Sequence, residues 1–406
     1  MSPEATPTDP ITFAAGISAH LDPTQACNEA LAQVTASLKG QPAHAAFLFV
    51  SGLYRTEWAP LLGRIRKELG NPLLLGCTAG GVLAAGQELE RTPAVSLGAA
   101  RLPRVKLHPF SVSPAELEER PETGFWIEKT GVNPKEEPSG ILLPDPYSCD
   151  AMSLVAALNG VYPKMPLIGG LASGAAEAGG NALFLNDEIR SEGAIGALMT
   201  GDVVLQTVVS QGCRPIGRPY VITKSEENVI FELAGQPALD ALQALYVELS
   251  EGDKKLAREA LLLGVVMNEY QQTFRRGDFL IRNLIGMDPT AGALAVGDRI
   301  QTGQTVQFHV RDAAASREDM QTLLKENVQP GPGAPGGLLF SCLGRGRELY
   351  GEPNMDVRMI RDAIGPCPIA GFFCNGEIGP IGAHNYIHGF TASLGLFRSR
   401  SEKGSR

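Results

Sequence analysis

No apolar run in the chain is long enough to cross a bilayer: the most apolar stretch, Ala260 to Met267, falls far short of the roughly 20 residues that a spanning helix needs. The amino terminus also lacks a basic start followed by an apolar segment, so neither export nor membrane insertion is expected, and the expected location is cytoplasmic. Basic residues are in deficit. The 35 Lys and Arg against 44 Asp and Glu leave a net charge of −9, which argues against nucleic acid and membrane surfaces as partners. The seven cysteines (Cys27, Cys77, Cys149, Cys213, Cys342, Cys367 and Cys374) contain no C-x-x-C pair. An odd, scattered set inside apolar segments argues against a disulfide framework or a zinc site and for reduced, buried thiols. Walker, G-x-S-x-G and H-E-x-x-H sequences are missing, and no cofactor or metal is expected. Gly331, Gly333 and Gly336 spell G-x-G-x-x-G, but Pro332 and Pro335 interrupt it and a helix precedes it, the wrong order for a dinucleotide fold.

What the chain has is apolar material, 44% of 406 residues, enough for two domains. Three segments repeat one pattern of apolar strand, amphipathic helix and second strand. The first runs from Ala46–Val50 through a helix bearing Trp58, Leu61, Leu62, Ile65 and Leu69 to Pro72 and Gly80. The second runs from Ile141–Leu143 through Met152, Val155 and Leu158 to Pro166 and Gly174. The third runs from Leu338–Phe340 through Val357, Ile360 and Ile364 to Pro368 and Gly376. In each, a glycine stands eight residues after the proline. Short apolar runs joined by a helix suit parallel β-α-β crossovers, and the glycine marks backbone with positive φ or a close approach.

Segments 94–100, 105–110, 194–200, 203–210, 304–310 and 386–397 read as antiparallel meanders. A helix from Asp22 to Leu38 is capped by Asp22 and Pro23 and stopped by Gly40, and another begins at Ser316 with Asp319 in a capping-box position. Residues 329–337 read as a loop, and 1–10 and 399–406 as tails. The fold class is therefore α/β, with repeated β-α-β units, antiparallel meanders and two related halves.

Several phrases of the carboxyl half, in order, resemble the FIST-C domain: Asn228–Leu239, Ile281–Pro289, Val306–Asp312, Phe340–Gly351 and Pro368–Gly379 running on to Thr391. Phe47–Gly52, Leu75–Gly81 and Leu167–Gly174 are similar to FIST-N in looser wording. The resemblance implies a tail over 1–24, FIST-N over 25–221, FIST-C over 222–398 and a tail over 399–406. It also implies a stand-alone small-ligand sensor in intracellular signalling, with amino acids or related metabolites as ligands and a signalling protein as a possible partner. The alternative it offers is an interaction or adaptor module, like FIST domains linked to an F-box. A cysteine-dependent enzyme stands further off, and no catalytic residues carry over.

The ligand-binding candidates follow from chemistry. Arg345 or Arg347 offers a planar fork to an acid, while Asn375 and Glu377 suit an amine or hydroxyl. Equally, Glu377 could pair with an arginine inside the fold. Cys77 and Thr78 open a glycine loop that suits an anion nest or a tight turn, and Asp145 ends a strand where α/β proteins place ligand contacts. Cys374 follows Phe372 and Phe373 in an apolar strand and reads as a packing thiol rather than a nucleophile. His384 and His388, on extended chain, stand too far apart to share a metal.

Overall fold

The computed structural model describes residues 9–54, 56–119, 122–271, 273–328 and 336–400. The amino-terminal residues 1–8, the glycine-proline segment 329–335 (Gly331 and Gly333 included) and residues 401–406 lie outside them. The protein is mixed α/β and divides into two compact units. One comprises the described residues up to Val209 together with 321–387 and 391–400; the other comprises 210–320 and 388–390.

The first unit contains three six-stranded sheets, each with a parallel pair at its centre. Ala45–Ser51 pairs with Leu73–Ala79, Ser139–Pro144 with Leu167–Gly170, and Gly337–Cys342 with Ile369–Cys374. The helices Ala59–Glu68, Ala151–Val161 and Met355–Ile364 lie within these connections. The buried strands are short continuous apolar runs, as parallel strands covered on both faces require.

Each parallel pair is crowded by one glycine. A Cβ on Gly76, Gly169 or Gly371 would stand 1.9, 1.9 or 1.8 Å from the carbonyl oxygen of Leu48, Leu142 or Leu339, its register partner across the pair. No side chain fits there.

The remaining strands follow one order in all three sheets. Next to each pair lies the antiparallel strand that comes later in its own stretch of chain: Val95–Arg101, Ala194–Gly201 or Thr391–Arg398. Beyond it is an earlier strand: Thr12–Ser18, Val105–Val112 or Val204–Gln211. The other flank is filled by a hairpin from elsewhere. Gly81–Glu90, leaving the first pair, joins the third sheet through Ala370 paired with Ala84. Leu183–Arg190, leaving the second, joins the first sheet through Cys77 paired with Leu183. Glu377–His388, leaving the third, joins the second sheet through Gly170 paired with Glu377. The expectation of two related halves is thus corrected: the strand orders describe three sheets of one connectivity and a separate barrel. The neighbouring segments 94–100 and 105–110 form no meander either, since they belong to different sheets.

One apolar core serves all three sheets, with Phe47, Phe49 and Cys77 from the first, Ile141, Leu143 and Ile168 from the second, and Phe340, Phe372 and Cys374 from the third. Phe49 and Phe372 lie 4.8 Å apart, centroid to centroid.

The second unit holds a closed, antiparallel six-stranded barrel in the order Thr305–Arg311, Tyr220–Glu226, Val229–Leu233, Ala293–Val296, Phe279–Asp288 and Leu261–Val266, the last pairing back to the first. Closure removes the exposed edges. The helix Ala238–Glu248 adds Ala241, Leu242 and Leu245 to the barrel core.

Both predicted helices form. Asp22 caps Pro23–Ser37 by accepting from the Gln25 amide at 2.8 Å. The later helix starts at Ala313, earlier than expected, because Asp312 accepts from the amides of Ala314 and Ala315. Asp319 lies inside that helix and accepts from the Ser210 hydroxyl and the Gln211 amide.

Gly371→Ala should destabilise the protein by at least about 3 kcal/mol, since a Cβ there meets backbone that cannot move aside. Gly63→Ala, inside a helix with nothing within 4 Å, should stabilise by about 0.5–1 kcal/mol. Chemical denaturation of both variants checks the contrast.

Candidate functional site

The chain leaves each parallel pair at its carboxyl end to reach another sheet, and the three departing loops are hydrogen-bonded to one another. Leu171 donates to Gly376 O at 2.9 Å and accepts from the Asn375 amide at 3.1 Å. Ser173 and Gly174 both donate to Thr78 O. The Ser173 hydroxyl donates to Phe373 O at 2.5 Å and accepts from the Gly80 amide at 3.0 Å. Close approach explains Gly174, where a Cβ would stand 2.5 Å from the Thr78 Cβ, while Gly376 needs its φ of 141°. The Gly80 amide and the Thr78 amide, which donates to Ala182 O, are thus satisfied inside the protein.

Cys77, Thr78 and Asp145 are all buried here. Asp145 accepts from the Tyr147 and Ser148 amides, the Ser148 hydroxyl at 2.6 Å and Asn181 Nδ2 at 2.9 Å. Asn181 Oδ1 accepts from the Ala175 amide and from the Thr78 hydroxyl at 3.4 Å, and that hydroxyl accepts from the Ala182 amide. Asn181 therefore joins two of the predicted residues; standing in an irregular loop, it carries no motif that could have disclosed it.

The four carboxyl-half candidates separate. Arg347 and Asn375 are exposed, while Arg345 and Glu377 are buried. The fork of Arg345 is occupied: Nε and Nη2 donate to the two oxygens of Asp356 at 2.9 and 2.7 Å, and Nη2 also donates to the Tyr350 hydroxyl at 2.6 Å. Ser341 donates to the same carboxylate. Burial works against charge on both members, but the Asp356 charge raises Arg345 and the Arg345 charge lowers Asp356, so the pair stays ionised. Glu377 Oε2 accepts from the Thr391 amide at 3.0 Å and hydroxyl at 2.7 Å. Burial pushes its carboxyl up to about 8, against those hydrogen bonds and the charge of Arg345.

Glu88, which the sequence reading did not single out, joins this group on the hairpin from the first pair. Its Oε1 accepts from the Val357 amide at 3.0 Å in the first turn of a helix, and burial followed by the Asp356 charge pushes it up to about 8. Arg345 Nη1, Glu88 Oε2 and Glu377 Oε1 are buried without hydrogen-bond partners. Buried polar atoms are nearly always satisfied, so three within one electrostatically linked group are unusual.

A separate open space lies elsewhere. A cavity of about 670 Å³ is lined by Leu117, Trp126, Ser148, Asp150, Ser153 and Ala157, among others, beside the Asp145 loop. Trp126 is buried and its indole Nε1 has no hydrogen-bond partner. Cys374 is fully buried, and burial first, then the Glu377 charge, raises its thiol, which fits a packing role. No group of His, Cys, Asp and Glu able to hold a metal occurs among the described residues. Nor is any of their helices long and apolar enough to cross a membrane.

The FIST N domain family matches residues 44–236 and the FIST C domain family matches residues 238–380. The chain belongs to the FIST family, whose domains are generally sensory, signal-transduction modules rather than enzymes. An uncharacterized protein of Mycobacterium tuberculosis is 38% identical over 387 residues, covering 94% of this chain and 98% of that relative. An uncharacterized protein of Mycobacterium bovis is 35% identical over 386 residues, covering 94% and 97%.

The raised Glu377 carboxyl has a definite pH signature. Unfolded, it loses its proton near the ordinary glutamate value of about 4.3, whereas folded it keeps the proton to about 8. The folded state binds more protons in that window, so the group's contribution is full at low pH and lost as pH rises to about 8. Glu377→Gln cannot ionise. Its melting temperature should therefore gain on the parent's as pH is raised from about 5 to about 8. A constant difference across that range would show that Glu377 ionises as freely in the folded protein as in the unfolded chain.

Proposed function

We propose that this protein is a small-ligand sensor that binds its ligand in the cavity beside the Asp145 loop and signals its presence through the joined carboxyl-end loops. The cavity carries the reading, because its volume of about 670 Å³ lies within the usual range of ligand sites and its place at strand carboxyl ends is where open α/β sheets bind ligands. Apolar walls from Leu117, Trp126 and Ala157, with polar groups from Ser148, Asp150 and Ser153, suit an amino acid or related metabolite. Ser148 touches Asp145, which Asn181 links to the Thr78 segment and so to the Ser173 and Phe373 loops. Occupancy at one loop thereby bears on all three. In this reading a FIST-N region over 25–221 and a FIST-C region over 222–398 both contribute strands to the sensing unit, and the signal passes to a partner protein in the cell interior.

A second reading is favoured by the three partnerless atoms. A ligand with both an acid and an amine would satisfy Arg345 Nη1 with the one and Glu377 Oε1 and Glu88 Oε2 with the other. Removing Arg345 is a poor test, since it strands the buried Asp356 charge at a cost of about 3–5 kcal/mol.

A thermal-shift screen against amino acids and metabolites tests both. A ligand at 100 times its dissociation constant should add about 2.7 kcal/mol of stability. The chain has only two tryptophans, so in Trp58→Phe the emission reports Trp126 alone. A hit should change that emission and keep its affinity in Glu377→Gln. A hit that leaves the emission unmoved but is lost in Glu377→Gln selects the second reading, and a screen with no hits contradicts both.

A further inference from the structure

Two of the cysteines stand side by side at the carboxyl ends of the third parallel pair. Cys342 and Cys374 are register partners on Gly337–Cys342 and Ile369–Cys374. Leu338 and Phe340 on one strand, and Ala370, Phe372 and Cys374 on the other, face the shared core. Strand alternation puts Cys342 on that same face. Adjacent strands run about 4.8 Å apart, inside the window of roughly 4.4–6.8 Å between Cα atoms that a disulfide spans. The Leu343 amide donates to Cys374 O at 3.0 Å, holding the two strand ends together where each strand stops.

Their surroundings differ in the way a reactive and a resolving thiol differ. Cys342 is partly exposed, while Cys374 is buried beside Cys77. The Arg345 guanidinium, already paired with Asp356, lies near Cys342, whose thiol faces the Glu377 carboxyl. Thiolate is the form that attacks peroxide, and the partial exposure of Cys342 gives an oxidant access to it.

We propose that Cys342 and Cys374 form a dithiol site that a hydroperoxide oxidises to a disulfide. The Cys342 thiolate attacks the terminal peroxide oxygen, the O–O bond breaks, and the alcohol or water leaves with the thiol's proton, giving a sulfenic acid. The Cys374 sulfur then displaces the hydroxyl, which departs as water with the Cys374 proton, and the S–S bond forms. Two thiols and one hydroperoxide thus yield one disulfide, one alcohol or water, and one further water. This activity is independent of ligand binding in the cavity and adds a second input to the same group of loops.

The test is hydrogen peroxide added to the full chain, followed by non-reducing peptide mapping. The expected product is a cross-linked peptide joining Cys342 to Cys374, reversed by dithiothreitol. Cys342→Ser should slow oxidation by an order of magnitude or more, and Cys374→Ser should stop at a sulfenic acid on Cys342 that dimedone traps. Cys77→Ser should still form the bond. The parent map needs no variant to fold. Peroxide that leaves Cys342 reduced, or a disulfide from Cys342 to any other cysteine, overturns the proposal.

Discussion

The exchange of hairpins among three sheets is the constraint on which the rest of the first unit depends. None of the three sheets is complete in its own stretch of chain: the parallel pair of each is flanked on one side by a strand of its own and on the other by a hairpin that began beside a different pair. The carboxyl-end loops are therefore crossing points, and their glycines and their mutual hydrogen bonds follow from three segments of the chain passing through one place. The shared core is the energetic counterpart, because residues of all three sheets leave water together.

The buried charges fit this arrangement. Glu88 and Glu90 reach the third sheet only because the first pair lends it a hairpin, and there they accept from the amides of Val357 and Arg347. Asp356 neutralises Arg345 with bidentate geometry. Such a pair gives little net stability but makes the loss of either member expensive. The partnerless atoms of Arg345, Glu88 and Glu377 leave the group incompletely satisfied at the place where the loops meet, the kind of arrangement that a ligand, a proton or an oxidant can bias.

Much of the local structure was legible in the sequence. Pro72, Pro166 and Pro368 each stand just ahead of a second parallel strand, and the apolar runs around Phe47, Leu142 and Leu339 are those strands' partners. Connectivity was not legible, because a strand such as Gly81–Ala84 carries no mark of its destination and its partner Ala370 lies far along the chain. The barrel divides the third copy of the strand order between Val204–Gln211 and Gly337–Cys342, which hides its length from any search for a fixed period. Arg345 and Arg347, two residues apart, look alike in sequence. A short turn decides that one is buried on Asp356 and the other faces solvent. Residues brought to these loops by long-range contact, Glu88, Asn181 and Asp356, had no local signature.

Native-state hydrogen exchange tests the central claim that the three sheets and their crossing loops open as one. The amides of Phe49, Leu142 and Phe340, one from each sheet, together with those of Leu171 and Asn375 in the loops, should exchange through a common opening with the same free energy. They should also shift together when a ligand from the screen is added. A sheet that opens alone, with the other two still protected, would contradict the account.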